Sequence, residues 1–198
     1  MTDRAPENPA GTADSAVSAV PAVLAFGSNL PGALSGPEEQ IRRAAEALAA
    51  VDGVVPVSAS AMFATPPWGV TDQDEFRNCV LTIRTTLDPL TLLHHCQDLE
   101  QAARRVRARH WGPRTLDIDI IDYAGIRSDR RWGEELILPH PWAHQRPFVL
   151  VPWLDADPHA VLDGRPVREW LTVCEGQEAG AAGTAEGIRV LPDVRWAP

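Results

Sequence analysis

The sequence contains no lysine; all 18 basic residues in the 198-residue chain are arginine. That absence excludes a lysine Schiff base and a lysine-bearing phosphate loop of the Walker type. Any handling of phosphate falls to arginine, backbone amides or a metal. Cysteine is also scarce. Cys79, Cys96 and Cys174 are odd in number and far apart, which excludes a disulfide framework and a spaced zinc site. They read as reduced, buried thiols. No apolar run approaches the roughly 20 residues of a membrane span. The N-terminal MTDRAPENPAGTADSAVSAV carries acids and prolines where an export signal has a basic and then an apolar region. The expected location is therefore cytoplasmic. Positive charge is short overall, with a formal net charge of −9, and this speaks against nucleic acid as a partner because phosphate contacts dominate that affinity.

What is present suits one folded domain, with 44% hydrophobic and 23% charged residues. Residues 1–20 are aperiodic and rich in Ala, Pro, Ser and Asp, and read as a disordered tail. Residues 21–174 form the expected body. Residues 175–198 read as a flexible extension, with alternating apolar positions near the end that suit a final strand. No internal repeat is apparent.

Within the body, AVLAFGSN is an apolar strand closed by turn formers. PEEQIRRAAEALAAVDG is a helix with proline and acids in its first turn, a stripe of Ile41, Ala44, Ala45 and Leu48, and Gly53 at its end. VVPVSASAMFAT and FRNCVLTIRTT alternate as two strands on either side of a TPPWGVTDQDE loop. DPLTLLHHCQDLEQAARRVRAR is a helix capped by Asp88 with Pro89 first. TLDIDIIDY is a further strand, and short helices are expected around PFVLVPWL and VREWLTV. The order β-α-β-β-α-β predicts an α/β (α+β) protein of ferredoxin-like topology, an antiparallel sheet with helices packed on it. Fold alone sets no function.

The chemistry concentrates in RARHWGPRTLDIDIID. Asp117 and Asp119 share one face of a strand, with Leu116, Ile118 and Ile120 on the other. Two carboxylates roughly 7 Å apart resist ionising together without a cation between them. Mg²⁺ held by one or two carboxylates and substrate phosphates suits the pair. A bare DxD is more often a solvated sheet face. Arg104, Arg105, Arg107, Arg109 and Arg114 stand just before it. Cations gain about 0.3–1 kcal/mol at a helix C-terminus, which explains part of the cluster. Arginines on a loop facing a metal-bearing strand also suit a polyphosphate.

GSNL (27–30), TPPWG (65–69), FRN (76–78), HWGPRTLDIDII (110–121) and LPHPWAHQRPFVLVPW (138–153) occur in that order. Together they resemble the 6-hydroxymethyl-7,8-dihydropterin pyrophosphokinases of folate biosynthesis, over roughly residues 22–172. The resemblance implies a monomeric, ferredoxin-like enzyme with two Mg²⁺ ions per site. It moves pyrophosphate from ATP to the pterin hydroxymethyl oxygen and leaves AMP. It implies Asp117 and Asp119 as metal ligands, and Arg105, Arg107 and Arg114 as catalytic groups beside them. Thr65, Pro66, Trp68, Phe76, Asn78 and Phe148 match pterin-binding positions. Gln97, Glu100, Arg107, Arg114, Ile120, His140 and Arg146 match positions around ATP. Stacking faces and a bidentate amide suit a flat, edge-polar ring. The chain departs from the family pattern with His110 in place of arginine before Trp-Gly-Pro, Arg104 in place of glycine, and an arginine loop shorter by a residue. A non-catalytic nucleotide- or pterin-binding module is the alternative reading. An RNA-binding ferredoxin-like domain is a third, opposed by the charge.

Overall fold

The computed structural model describes residues 18–67, 72–103, 113–176 and 185–198. The chain runs β1 (Val20–Ser28), α1 (Pro37–Ala49), β2 (Val54–Ala59), β3 (Met62–Thr65), β4 (Phe76–Thr85), α2 (Pro89–Ala102) and β5 (Asp117–Tyr123). A short 3-10 turn then leads to α3 (Pro147–Ala156), the hairpin β6 (Val161–Leu162) and β7 (Arg165–Pro166), α4 (Val167–Gly176) and β8 (Arg189–Leu191). The main sheet is ordered β5-β1-β4-β3-β8, with β2 also on β4. Every pairing is antiparallel. With β2 and β3 counted as one strand, this is the ferredoxin-like order.

The expected strand over VVPVSASAMFAT is interrupted at Ser60 and Ala61. The break is stitched by one backbone and one side-chain bond: Ser60 N–H donates to Val80 O at 2.9 Å, and Val80 N–H donates to Ser60 Oγ at 3.0 Å. Ala61 N–H donates to Asp155 Oδ2 of α3 at 2.6 Å. An irregular ladder persists here because each displaced backbone group has a partner.

Alternation along β1 divides the interior. Ala22, Leu24 and Phe26 face α1 and α2, where Ile41, Ala44, Ala45 and Leu48 supply the helix stripe. Val23 faces the other side, joining Val80, Ile121, Val149, Leu150 and Trp153 beneath α3 and α4. Burying a side chain of the size of Leu24 or Phe26 contributes about 1.5–3 kcal/mol. Helix α1 ends at Ala49, and Gly53, at φ +85°, turns the chain into β2 rather than closing the helix. Asp88 caps α2 by accepting from Leu90 N–H and Thr91 N–H at 3.1 and 3.2 Å. Residues 185–198, read from sequence as part of a flexible extension that suits a final strand, add β8 to the sheet and Trp196 to the main core, 2% exposed. No helix among the described residues is long and apolar enough to cross a membrane.

Candidate active site

The face of the sheet beneath α3 is apolar at one end and polar at the other. Register explains why. Gly27 of β1 pairs with Asn78 of β4 on one side and with Asp117 of β5 on the other. An amide, a bare backbone and a carboxylate therefore form one row across three strands. The row floors a cleft with an empty volume of ≈ 470 Å³, open on one side to solvent. Thr65, Pro66, Phe76, Arg114, Arg146 and Phe148 complete its lining. Glycine keeps the middle of the row clear for Asn78: a Cβ on Gly27 would stand 2.9 Å from Asn78 Oδ1 and 3.8 Å from Asp117 Cβ.

Asn78 is buried and oriented. Its Nδ2 donates to Thr65 Oγ1 at 2.7 Å. Phe76 opens β4 and Phe148 lies in the first turn of α3, so two different elements deliver the rings. Arg146 immediately precedes α3, and its carbonyl accepts from Val149 N–H and Leu150 N–H at 2.8 and 3.0 Å. Its guanidinium carbon lies 5.7 Å from the Phe148 ring centroid.

The two aspartates project from one face of β5, as alternation requires, and each meets an arginine. Arg114 Nη1 donates to Asp117 Oδ2. Arg146 Nη1 donates to Asp119 Oδ2 at 3.0 Å. His140 Nε2 stands 3.8 Å from the same Asp119 oxygen and 3.4 Å from Arg146 Nη1. Trp142 N–H donates to His140 Nδ1 at 3.2 Å. Burial pushes the His140 imidazole below its ordinary value; Asp119 opposes that shift and Arg146 adds to it.

Not every residue expected around ATP lies in the cleft. The Ile120 side chain is 3% exposed within the main core, on the opposite face from Asp119, because a strand alternates. Glu100 is 6% exposed and accepts from Ile118 N–H at 2.8 Å, so its carboxylate ties α2 to the outer edge of β5. Gln97, one turn earlier on α2, is half-buried. Trp68, Arg105, Arg107 and the departures Arg104 and His110 lie outside the described residues.

Ser28 and Asn29 carry a role that their local sequence does not disclose. Asn29 Oδ1 accepts from Arg114 N–H at 2.8 Å, while Arg114 O accepts from Asn29 N–H and Leu30 N–H at 3.1 and 3.2 Å. Ser28 Oγ donates to Thr115 O at 2.7 Å, and Asn29 Nδ2 donates to Asp74 O at 3.2 Å. These two buried residues bolt the arginine to the end of β1 and to the approach to β4. The available signal was small polar residues closing an apolar strand.

Among the described residues no group of three or more His, Cys, Asp and Glu side chains stands ready to cage a metal. Asp117 and Asp119 nonetheless fit Mg²⁺, which is bound through one or two carboxylates with substrate phosphates and water. Their side chains are 17% and 32% exposed on the cleft side of β5.

Fold and cleft together define a class: a ferredoxin-like α/β protein with an aromatic, amide-lined slot beside paired acidic and arginine groups. The chain belongs to the 7,8-dihydro-6-hydroxymethylpterin-pyrophosphokinase (HPPK) family, whose model matches residues 23–158. It is 44% identical over 150 residues to the 2-amino-4-hydroxy-6-hydroxymethyldihydropteridine pyrophosphokinase of Methylorubrum extorquens, covering 76% of this chain and 90% of that one. It is 37% identical over 176 residues to the enzyme of the same name from Pseudomonas aeruginosa, covering 85% and 95%. The fold also matches a crystal structure of a Plasmodium falciparum HPPK-DHPS variant with pteroate, at TM-score 0.62 and 13% identity over 89% of this chain. The chain spans about half of that larger protein, 47% of its length.

Proposed function

We propose that the chain transfers pyrophosphate from ATP to the hydroxymethyl oxygen of 6-hydroxymethyl-7,8-dihydropterin, giving AMP and the pterin diphosphate. The observation that carries this is the row Asn78–Gly27–Asp117 in one cleft whose lining includes Phe76 and Phe148. A flat ring bound over the Gly27 backbone has the Phe76 and Phe148 side chains in the same cleft to stack on. Its polar edge meets the Asn78 amide, which offers a donor and an acceptor together. Asp117 is next in the row, so the acidic end of the cleft adjoins the bound ring.

Arg114 and Arg146 already hold carboxylates and would turn to phosphate oxygens as the nucleotide arrives; bidentate guanidinium contacts suit such groups. Asp117 and Asp119 would hold Mg²⁺, which when bound neutralises phosphate charge and orients the oxygens. The pterin oxygen bonds to the β-phosphorus while the bond from that phosphorus to the AMP oxygen breaks, and the hydroxyl proton leaves to solvent. Little covalent work falls to the protein. Its residues position the ring, hold the phosphates and exclude water. We further propose that the protein works in the cytoplasm, and as a monomer, as its resemblance to the family implies.

The test is AMP release from ATP and Mg²⁺ with and without the pterin. Pterin-dependent AMP is the expected result. Tight binding of either substrate without AMP would point to a binding module instead.

A further inference from the structure

Residues 185–198 lie beyond the stretch matched by the family model, which ends at residue 158, yet they are built into the sheet beside the cleft. β8 pairs with β3 in the register Met62–Leu191, Phe63–Val190 and Ala64–Arg189, ending one residue before Thr65. Gly187, at φ +82°, lies so close to Pro66, which follows Thr65, that a Cβ there would stand 2.8 Å from Pro66 Cγ. Arg189 Nη2 donates to Glu75 Oε2 at 2.7 Å, one residue before Phe76. Beyond β8, Trp196 fastens the segment to the core. Its ring centroid is 5.6 Å from that of Phe26, and its Nε1 donates to Ser60 O at 2.8 Å.

These contacts are unequal. The Arg189–Glu75 pair is exposed and adds little stability alone. The β8 ladder and buried Trp196 supply the holding force, and they hold a particular place. Without β8, the four residues of β3 would be the border of the sheet on this side of the cleft. With it, both ends of the connection from β3 to β4 are gripped, Pro66 at its start and Glu75 at its finish. None of these contacts involves Arg114, Asp117, Asp119 or Arg146.

We infer that residues 185–198 act as a positioning strap for the pterin half of the site. They fix Thr65, Pro66 and Phe76 relative to Asn78 and leave the phosphate half alone. The inference rests on the assignment of those residues to the pterin. Its signature is a selective change in pterin affinity.

The experiment is steady-state kinetics on the full chain carrying Gly187→Ala or, separately, Arg189→Glu, with thermal melting of each variant. Gly187→Ala drives a methyl group toward Pro66, and Arg189→Glu sets two acids against each other at an exposed site that the fold tolerates. The expected result is a pterin KM raised roughly 3- to 30-fold by Gly187→Ala, and less by Arg189→Glu, with the ATP KM within about twofold. An unchanged pterin KM in both variants, or a parallel rise in both KM values, overturns the strap. Absence of pterin-dependent AMP from the unaltered protein overturns the reading of the site itself, and is seen before any substitution is made.

Discussion

Thr65 and Asn78 lie on adjacent strands with their side chains joined, Nδ2 to Oγ1 at 2.7 Å, and they are only 1% and 8% exposed. Thr65→Val keeps the shape and removes the acceptor. A buried amide N–H left unpaired costs about 1–3 kcal/mol, and the amide becomes free to turn from the slot. Urea denaturation should show the loss of stability, and titration with pterin should show weaker binding with ATP affinity retained. Unchanged pterin affinity would remove Asn78 from the binding role.

Gly27→Ala tests the floor of the cleft. A methyl group 2.9 Å from Asn78 Oδ1 forces that side chain to move. The protein should fold, since the obstructing atom is the end of a side chain, while pterin binding falls below detection by calorimetry.

Asp117→Asn and Asp119→Asn keep side-chain size and remove charge. Turnover should fall by about two orders of magnitude or more in each, the scale seen when charge stabilisation is lost from an active site. Measurable AMP formation at near-normal rate in both variants would remove the pair from metal binding.

Asp88 provides a pH-dependent check on the fold. Its bonds with Thr91, first to the hydroxyl and then to the backbone N–H, hold its carboxyl below the ordinary aspartate value. The folded value is thus lower than the unfolded one. Its contribution is complete above the unfolded value and is lost as pH falls through the folded one. Asp88→Ala should cost about 1 kcal/mol near neutral pH, with the gap narrowing in acid, as urea melts over a pH series would record.

Trp196→Ala should destabilise the protein by about 3–5 kcal/mol, as for other large core residues. A cost near zero in chemical denaturation would mean that the last residues are not part of the domain.

Much of the fold is written locally. The stripe of α1, the Asp88 cap of α2 and the alternation of β1 and β5 each follow from neighbours in the chain, and the aspartate pair was legible for the same reason. What escaped was set by distance along the chain. The break at Ser60–Ala61 depends on Asp155 and Trp196, 94 and 136 residues later than their partners. Asn29 meets Arg114 across 85 residues, so nothing beside GSNL discloses what it clamps. Ile120 and Glu100 stand in matching motif positions, but only packing decides that one faces the core and the other the border of β5. In the last segment the alternation suits a strand and β8 forms there, but nothing local discloses that Trp196 packs on Phe26 and bonds Ser60.

The Gly27 floor has one more consequence, for the entropy of recognition. Backbone has no rotamers to lose, and Asn78 is already fixed by Thr65 before any ligand arrives. The polar edge of an incoming ring therefore meets groups whose freedom was given up during folding, and ordering on binding is confined to the cleft walls. Affinity gained this way shows itself as rigidity in the empty protein.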